Sequence, residues 1–332
     1  MGHINMPAAA FRASLSEDAG ARSGFALDEI ALKANLAKSR FSNAFDGDRF
    51  LRFSSEDYDE AVGDLLFALG TTGAPGMPTL IERFIRGLDR PWQELFELDE
   101  LMRVHAVGSE YLRRLNDGRA DQASVREELF SMFKGKRSEY IPIMEIAASE
   151  HLAFHPTFTV ECRYDNRQRF ETLFLSEEIA KDGSQFFDQR FINYLAANPQ
   201  ALDEIHWRQF EYLAAEWLDR EGYQVQIGPG RNDGSVDLRA WTKGSDIAQP
   251  PAIIAQCKRT KEKIPKIVVK ALWADMNFEK ATSGLIVTTS DISPGAQKDI
   301  LARRYPITTA NRLRVVDWVL KMRNTHAGIV VP

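Results

Sequence analysis

The stretch AIIAQCKR, residues 252–259, reads as an apolar strand that stops on an amide, a thiol and two cations. Alternation along a strand places Gln256 and Lys258 on one face and Cys257 on the other. A second strand-like stretch, VDLRAW at 236–241, opens with the carboxylate of Asp237 directly after the turn-rich loop GPGRNDGS. If the two strands pair, a carboxylate, an amide oxygen and an ammonium converge at one end of a sheet. Carboxylate and carbonyl oxygens suit a hard divalent cation such as Mg²⁺, which prefers oxygen ligands and keeps several waters. A lysine beside that cation can orient or help deprotonate one of those waters. The chemistry this implies is hydrolysis of a phosphodiester, in which the metal polarises phosphate and lowers the pKa of water. Asp233, in the same loop, competes with Asp237 for the metal role.

The elements that must hold these residues follow a regular order. HWRQFEYLAAEWLDREG (206–222) has the spacing of an amphipathic helix ended by Gly222, and YQVQI (223–227) predicts a short strand. After VDLRAW and AIIAQCK, Pro265 opens a helix, GLIVTT (284–289) predicts a fourth strand and SPGAQKDILARRY (293–305) another helix. RLRVVDWVLKM (312–322) reads as a last strand running into a helix. This order predicts an α/β domain over residues 196–332, a mixed central sheet flanked by helices. The preceding residues predict an α+β domain that is mainly helical. Residues 57–69 and 78–105 carry apolar side chains at helical intervals, broken by TTGAPGMP and Pro91, and residues 184–199 add another helix. Residues 157–175 alternate around Asp165-Asn166 and predict a β-hairpin. The expected organisation is a loose tail at 1–24, a mainly helical domain at 25–195 serving recognition, regulation or oligomerisation, and the α/β domain at 196–332.

Composition narrows the classes. The 332 residues are 44% hydrophobic and 27% charged, the balance of a soluble globular protein. No apolar stretch approaches the roughly 20 residues that span a bilayer, and the N-terminus lacks a basic segment followed by an apolar one. The two cysteines, Cys162 and Cys257, have no metal-ligand spacing, so a reducing cytoplasm is the expected compartment. The net charge of -5 conceals an asymmetry: residues 196–332 hold 19 Lys and Arg against 15 Asp and Glu, while residues 1–195 hold 23 against 32. Phosphate loops of the GxxxxGK[ST] type, HExxH, GxSxG and paired CxxC motifs are absent from the sequence.

Glu211 in the 206–222 helix, Asp237 in NDGSVDLRA, the strand end IIAQCKR and the later SGLIVTTSDISPGA together resemble the Mrr-type restriction endonucleases, a branch of the PD-(D/E)xK nuclease superfamily. The resemblance spans roughly residues 204–322. It implies a restriction-endonuclease-like fold and an endodeoxyribonuclease dependent on Mg²⁺ or Mn²⁺, acting on double-stranded DNA in restriction or anti-phage defence. Carried over residue by residue, it implies that Asp237 binds the metal, Gln256 shares the site, Lys258 acts on the water and Glu211 joins from the first helix. Gln256 departs from the acidic form found in many relatives. A neutral ligand weakens a cation site, which leaves Asp237, Glu211 and the Cys257 backbone carbonyl as the stronger oxygen donors.

Each of these residues has a plainer reading. Lys258 alone would be a surface cation, Asp237 a turn cap, Glu211 an exposed helix charge and Cys257 a small buried hydrophobe. His206 and Trp207 read as structural residues that open a helix. The run KRTKEKIPKIVVK (258–270) holds six Lys and Arg and one acid, and it reads either as a solvated helix face or as a contact for a phosphate backbone. Arg259, Lys261, Lys263 and Lys266 are the candidate DNA contacts. The alternatives to a DNA-cutting enzyme are a DNA-binding protein that keeps the fold without cleaving, and a junction resolvase on the same core. Further partners left open are a second copy of the chain and other proteins of a defence system.

Overall fold

The computed structural model describes residues 3–37, 39–47, 49–73, 75–76, 97–116, 122–132, 162–164, 166–177, 186–230, 236–324 and 327–330. Its contacts divide into two units, one of residues 1–76 with 160–332 and one of residues 77–159. In the second unit the described elements are two helices, α4 (Leu98–Asn116) and α5 (Gln122–Met132).

The first unit begins with β1 (His3–Pro7), α1 (Ala8–Ser23), β2 (Phe25–Ala26), α2 (Glu29–Leu36), a 3₁₀ turn at Ser42–Phe45, β3 (Phe50–Ser54) and α3 (Ser55–Ala68). Residues 3–23, expected as a loose tail, are ordered instead: β1 pairs antiparallel with β3, and α1 buries Phe11, Leu15 and Ala19. These three stand four residues apart, so they line one helix face. After the second unit come β4 (Cys162–Tyr164), β5 (Gln168–Arg169), the short α6 (Thr172–Leu175) and α7 (Gln189–Ala197). Of the hairpin expected over 157–175, residues 157–161 and 165 lie outside the described residues, and the described strands pair elsewhere than with each other. β4 pairs in parallel with β11 (Ala327–Val330), and β5 pairs in parallel with β2. Alternation can specify a strand without specifying its partner, and here both partners are distant in sequence.

The remaining elements are α8 (Trp207–Arg220), β6 (Tyr223–Ile227), β7 (Leu238–Thr242), β8 (Ile253–Lys258), α9 (Lys266–Glu279), β9 (Ser283–Thr288), α10 (Pro294–Arg303), β10 (Ile307–Ala310) and α11 (Arg312–Met322). They build a five-stranded sheet in the order β10-β9-β8-β7-β6, parallel across β8, β9 and β10 and antiparallel across β6, β7 and β8. This is the expected mixed sheet with helices on both faces. Residues 312–322 are helical throughout, and the last strand of this sheet lies earlier, at 307–310. Asn311 caps that helix by accepting from the Arg314 N–H, and Val315, Trp318, Val319 and Met322 are buried at helical spacing.

One sheet face carries Leu238, Ala255, Cys257 and Val287, packed with Phe210 and Leu213 of α8 and Val319 of α11. The other carries Ile254, Ile286 and Ile307 against Val269, Leu272 and Met276 of α9. Gly284 is required where α9 meets β9, because a Cβ there would lie 2.7 Å from the Met276 sulfur. The first face is continuous with the N-terminal elements: Leu15, Phe25, Leu36, Leu65 and Phe191 belong to the same buried cluster as Phe210 and Ala255. Packing therefore continues across residue 195, where the change in charge balance had marked a boundary.

Candidate active site

Asp237 stands one residue before β7, yet its backbone prolongs the ladder. Its N–H donates to the Ala255 carbonyl at 2.9 Å, and its own carbonyl accepts from the Gly228 N–H at 2.8 Å. Held on both sides, it turns its carboxylate onto the next rung, where Oδ2 accepts from the Cys257 N–H at 2.6 Å. The strands do pair, with Leu238 opposite Ala255, so the carboxylate meets the end of β8. Backbone groups two residues apart on a strand point the same way, so the Cys257 carbonyl also lies on the β7 side. Gln256 and Lys258 stand in register with Ile286 and Thr288 of β9 and share the α9 face by alternation. Lys258 is half-buried, and its carbonyl accepts from the Thr288 hydroxyl at 2.8 Å.

Gln256 is 4% exposed, and its side-chain oxygen Oε1 has no hydrogen-bond partner among the described residues. A buried amide oxygen left without a donor costs roughly 1–3 kcal/mol. Glu211 is also buried, but it lies on α8, which covers the opposite face, and its Oε2 accepts from Arg208 Nη1 at 2.6 Å. Cys257, buried on that face, is the meeting point of the group. Burial pushes its thiol well above the ordinary range, Asp237 and Glu211 add to the rise, and Lys258 opposes it. The thiol is therefore a protonated, inert packing group. Among the described residues, no three His, Cys, Asp or Glu side chains cluster as a metal site. The oxygens gathered at the end of β8 are instead one carboxylate, one amide and one backbone carbonyl.

Residues 202–319 match the family model of the Mrr catalytic domain, described as a restriction endonuclease. This part of the chain is an Mrr-type restriction endonuclease domain. It has the restriction-endonuclease-like fold. The chain is also similar to an uncharacterized protein, y4cE, of Sinorhizobium fredii (strain NBRC 101917 / NGR234), 24% identical over 140 residues. That match covers 42% of this chain and 36% of y4cE, so the chain spans about a third of that relative's length. Among solved structures it is similar to the restriction endonuclease MspJI in complex with a 27-mer oligonucleotide, at 17% identity and a TM-score of 0.27, over 56% of this chain and 39% of that one.

Within the Mrr-type domain, sequence reasoning missed Arg208. Its guanidinium reaches Glu211, the Tyr212 hydroxyl at 3.2 Å and the Gly228 carbonyl at 2.8 Å. It thereby ties the start of α8 to the loop that delivers Asp237. Burial pulls this guanidinium down, and hydrogen bonds from it to Glu211 and Tyr212, with their charges, outweigh that effect and raise it. The three-residue spacing to Glu211 was the available signal. His206 is structural, as expected: its Nδ1 caps α8 by accepting from the Arg208 N–H. Asp233 falls outside the described residues.

The basic run is mostly not a helix face. Thr260 exchanges two hydrogen bonds of 3.0 Å with the Thr289 hydroxyl, and Ile264 N–H donates to the Asp291 carbonyl at 2.8 Å. Residues 260–264 are thus laced to the loop after β9, and α9 starts only at Lys266. Lys261, Lys263 and Lys266 are exposed, while Arg259, also exposed, donates to the Asp203 carbonyl at 2.8 Å.

Proposed function

We propose that the chain is a metal-dependent endonuclease that hydrolyses phosphodiester bonds of double-stranded DNA, in restriction or anti-phage defence in the cytoplasm. The observation that carries this reading is the buried Oε1 of Gln256, without a hydrogen-bond partner among the described residues, one position before the Cys257 N–H that the Asp237 carboxylate accepts and at the strand end that also presents Lys258. An orphaned acceptor next to a carboxylate and a carbonyl fits Mg²⁺ or Mn²⁺, both of which favour oxygen donors. Asp237, Gln256 and the Cys257 carbonyl would hold the cation, which supplies a polarised phosphate and a water of lowered pKa when bound. Lys258 orients the attacking water and offsets charge that develops on the phosphate. Glu211, engaged by Arg208, supports the Asp237 loop through that guanidinium and joins the metal only if the pair opens. Lys261, Lys263 and Lys266, with Arg259, face the DNA backbone, where cations position the duplex without reading its sequence.

The test is conversion of supercoiled plasmid, modified and unmodified, with Mg²⁺, Mn²⁺ or EDTA, alongside a four-way junction. Nicking or linearisation with metal and none in EDTA is the expected result. Binding without cutting under every metal would mark a DNA-binding protein, and cutting confined to the junction would mark a resolvase.

The amide makes a separate prediction. Gln256→Glu adds a negative charge to the oxygen set, so Mn²⁺ affinity measured by calorimetry should rise about tenfold or more. Unchanged affinity would place residue 256 outside the metal's ligands.

A further inference from the structure

The parallel strands β8, β9 and β10 all run toward the edge that holds the Lys258 site, and each hands the chain to a helix that begins there. None of the three helices carries an acid in its first turn. Two of them carry cations instead: Lys266 opens α9, and Arg312 and Arg314 stand in the first turn of α11. Helix N-termini are partially positive, so cations there are disfavoured unless an anion is supplied. Arg312 has one in Asp203. Arg314 is exposed and has no carboxylate partner among the described residues, and the same is true of Lys263.

Those two cations flank a cleft of about 380 Å³ that Gln297, Thr309 and Asn311 also line. Asp291 reaches the cleft as well, and its Oδ1 accepts from Asn311 Nδ2 at 3.1 Å. The sheet register relates the cleft to the proposed catalytic end. Gln256 is paired with Ile286, and Ile286 with Thr309, so the three form one row across β8, β9 and β10. Two strand spacings amount to about 10 Å. Because the backbone winds round the duplex axis as well as rising along it, a direct separation of that size spans about one or two nucleotides of one strand.

We infer that this cleft seats a backbone phosphate of the bound duplex about one or two nucleotides from the scissile bond, held by Lys263 and Arg314 with the amides of Asn311 and Gln297. The DNA strand then leaves the catalytic end across β9 and β10 instead of along the exposed face of α9. This inference rests on the nuclease reading, because it takes duplex DNA as the ligand and the end of β8 as the place of cleavage.

The experiment is a salt titration of duplex binding by the full chain in EDTA, followed by fluorescence anisotropy, for the unsubstituted protein, Lys263→Ala, Arg314→Ala and the double variant. Each lost phosphate contact should flatten the slope of log affinity against log salt by about 0.9, and the double variant by about twice that. Lys321→Ala serves as the control, because Lys321 lies at the far end of α11 paired with Asp317 at 2.9 Å; its slope should match the unsubstituted chain. Both tested side chains are exposed, so folding should be unaffected. An unchanged slope in Arg314→Ala, with the duplex still bound, would overturn the cleft assignment alone. Failure of the unsubstituted chain to bind duplex in either EDTA or Mg²⁺ would instead overturn the nuclease reading.

Discussion

Asp237→Ala is expected to lower the rate of duplex cleavage by about 10²-fold or more, with Lys258→Ala lowering it comparably by a different route. The Asp237 carboxylate is bonded to the end of β8 through the Cys257 N–H, so its loss removes charge that would neutralise a divalent cation. Metal affinity should fall together with rate. Lys258 is half-buried on the neighbouring strand position and acts on the water, so Lys258→Ala should retain metal and duplex binding while the chemical step slows. Single-turnover cleavage, paired with metal titration of each variant, separates the two. Wild-type rates in either variant would remove that residue from the proposed machinery.

The second large effect falls on stability. Arg190 is 1% exposed and Asp188 is fully buried; their side chains meet in a fork, Nε to Oδ1 at 2.8 Å and Nη2 to Oδ2 at 2.7 Å. The remaining guanidinium nitrogen donates to the carbonyls of Gly24 at 2.8 Å and Asn166 at 2.6 Å, and the Tyr164 ring lies 4.2 Å from the guanidinium carbon. One side chain thus joins three separate stretches of the first unit. Arg190→Ala would leave the Asp188 carboxylate buried and uncompensated, a change that costs about 3–5 kcal/mol. Urea unfolding should show that loss as a lower midpoint. A change below about 1 kcal/mol would show that water or rearrangement replaces the guanidinium. Arg190→Ala/Asp188→Ala should recover part of the loss, because no buried charge is then left alone.

The C-terminal sheet was legible because its strands and helices carry local signals that agree. The apolar run of β8, the cap at Ser293, the proline at Pro265 and the turn at Gly222 each mark the same boundaries that packing respects. Asp237 and Lys258 were legible as a pair because strand alternation and one antiparallel contact suffice to bring them to a common end. The misreadings have equally specific causes. Arg312-Leu313-Arg314-Val315 alternates like a strand, but the Asn311 cap and the burial of Trp318 and Met322 select a helix. The stripe of Phe11, Leu15 and Ala19 is diluted by small and polar neighbours, so composition hid a helix whose stability comes from tertiary packing. The Asp188–Arg190 fork and the orphaned oxygen of Gln256 depend on burial, which periodicity does not report for a polar side chain. Arg208 was overlooked because an arginine three residues before a glutamate is common on solvated helix faces.

The central claim is that the end of β8 holds a divalent cation through Asp237 and cuts DNA with it. The most direct measurement is a Mn²⁺ titration of the full chain followed by electron paramagnetic resonance of the free ion, with cleavage of a linear duplex assayed in the same samples. Bound Mn²⁺ and cleavage rate should rise together in the unsubstituted protein, and both should be lost in Asp237→Ala and on addition of EDTA. Cleavage that persists in EDTA, or in Asp237→Ala with its Mn²⁺ binding intact, would contradict the account.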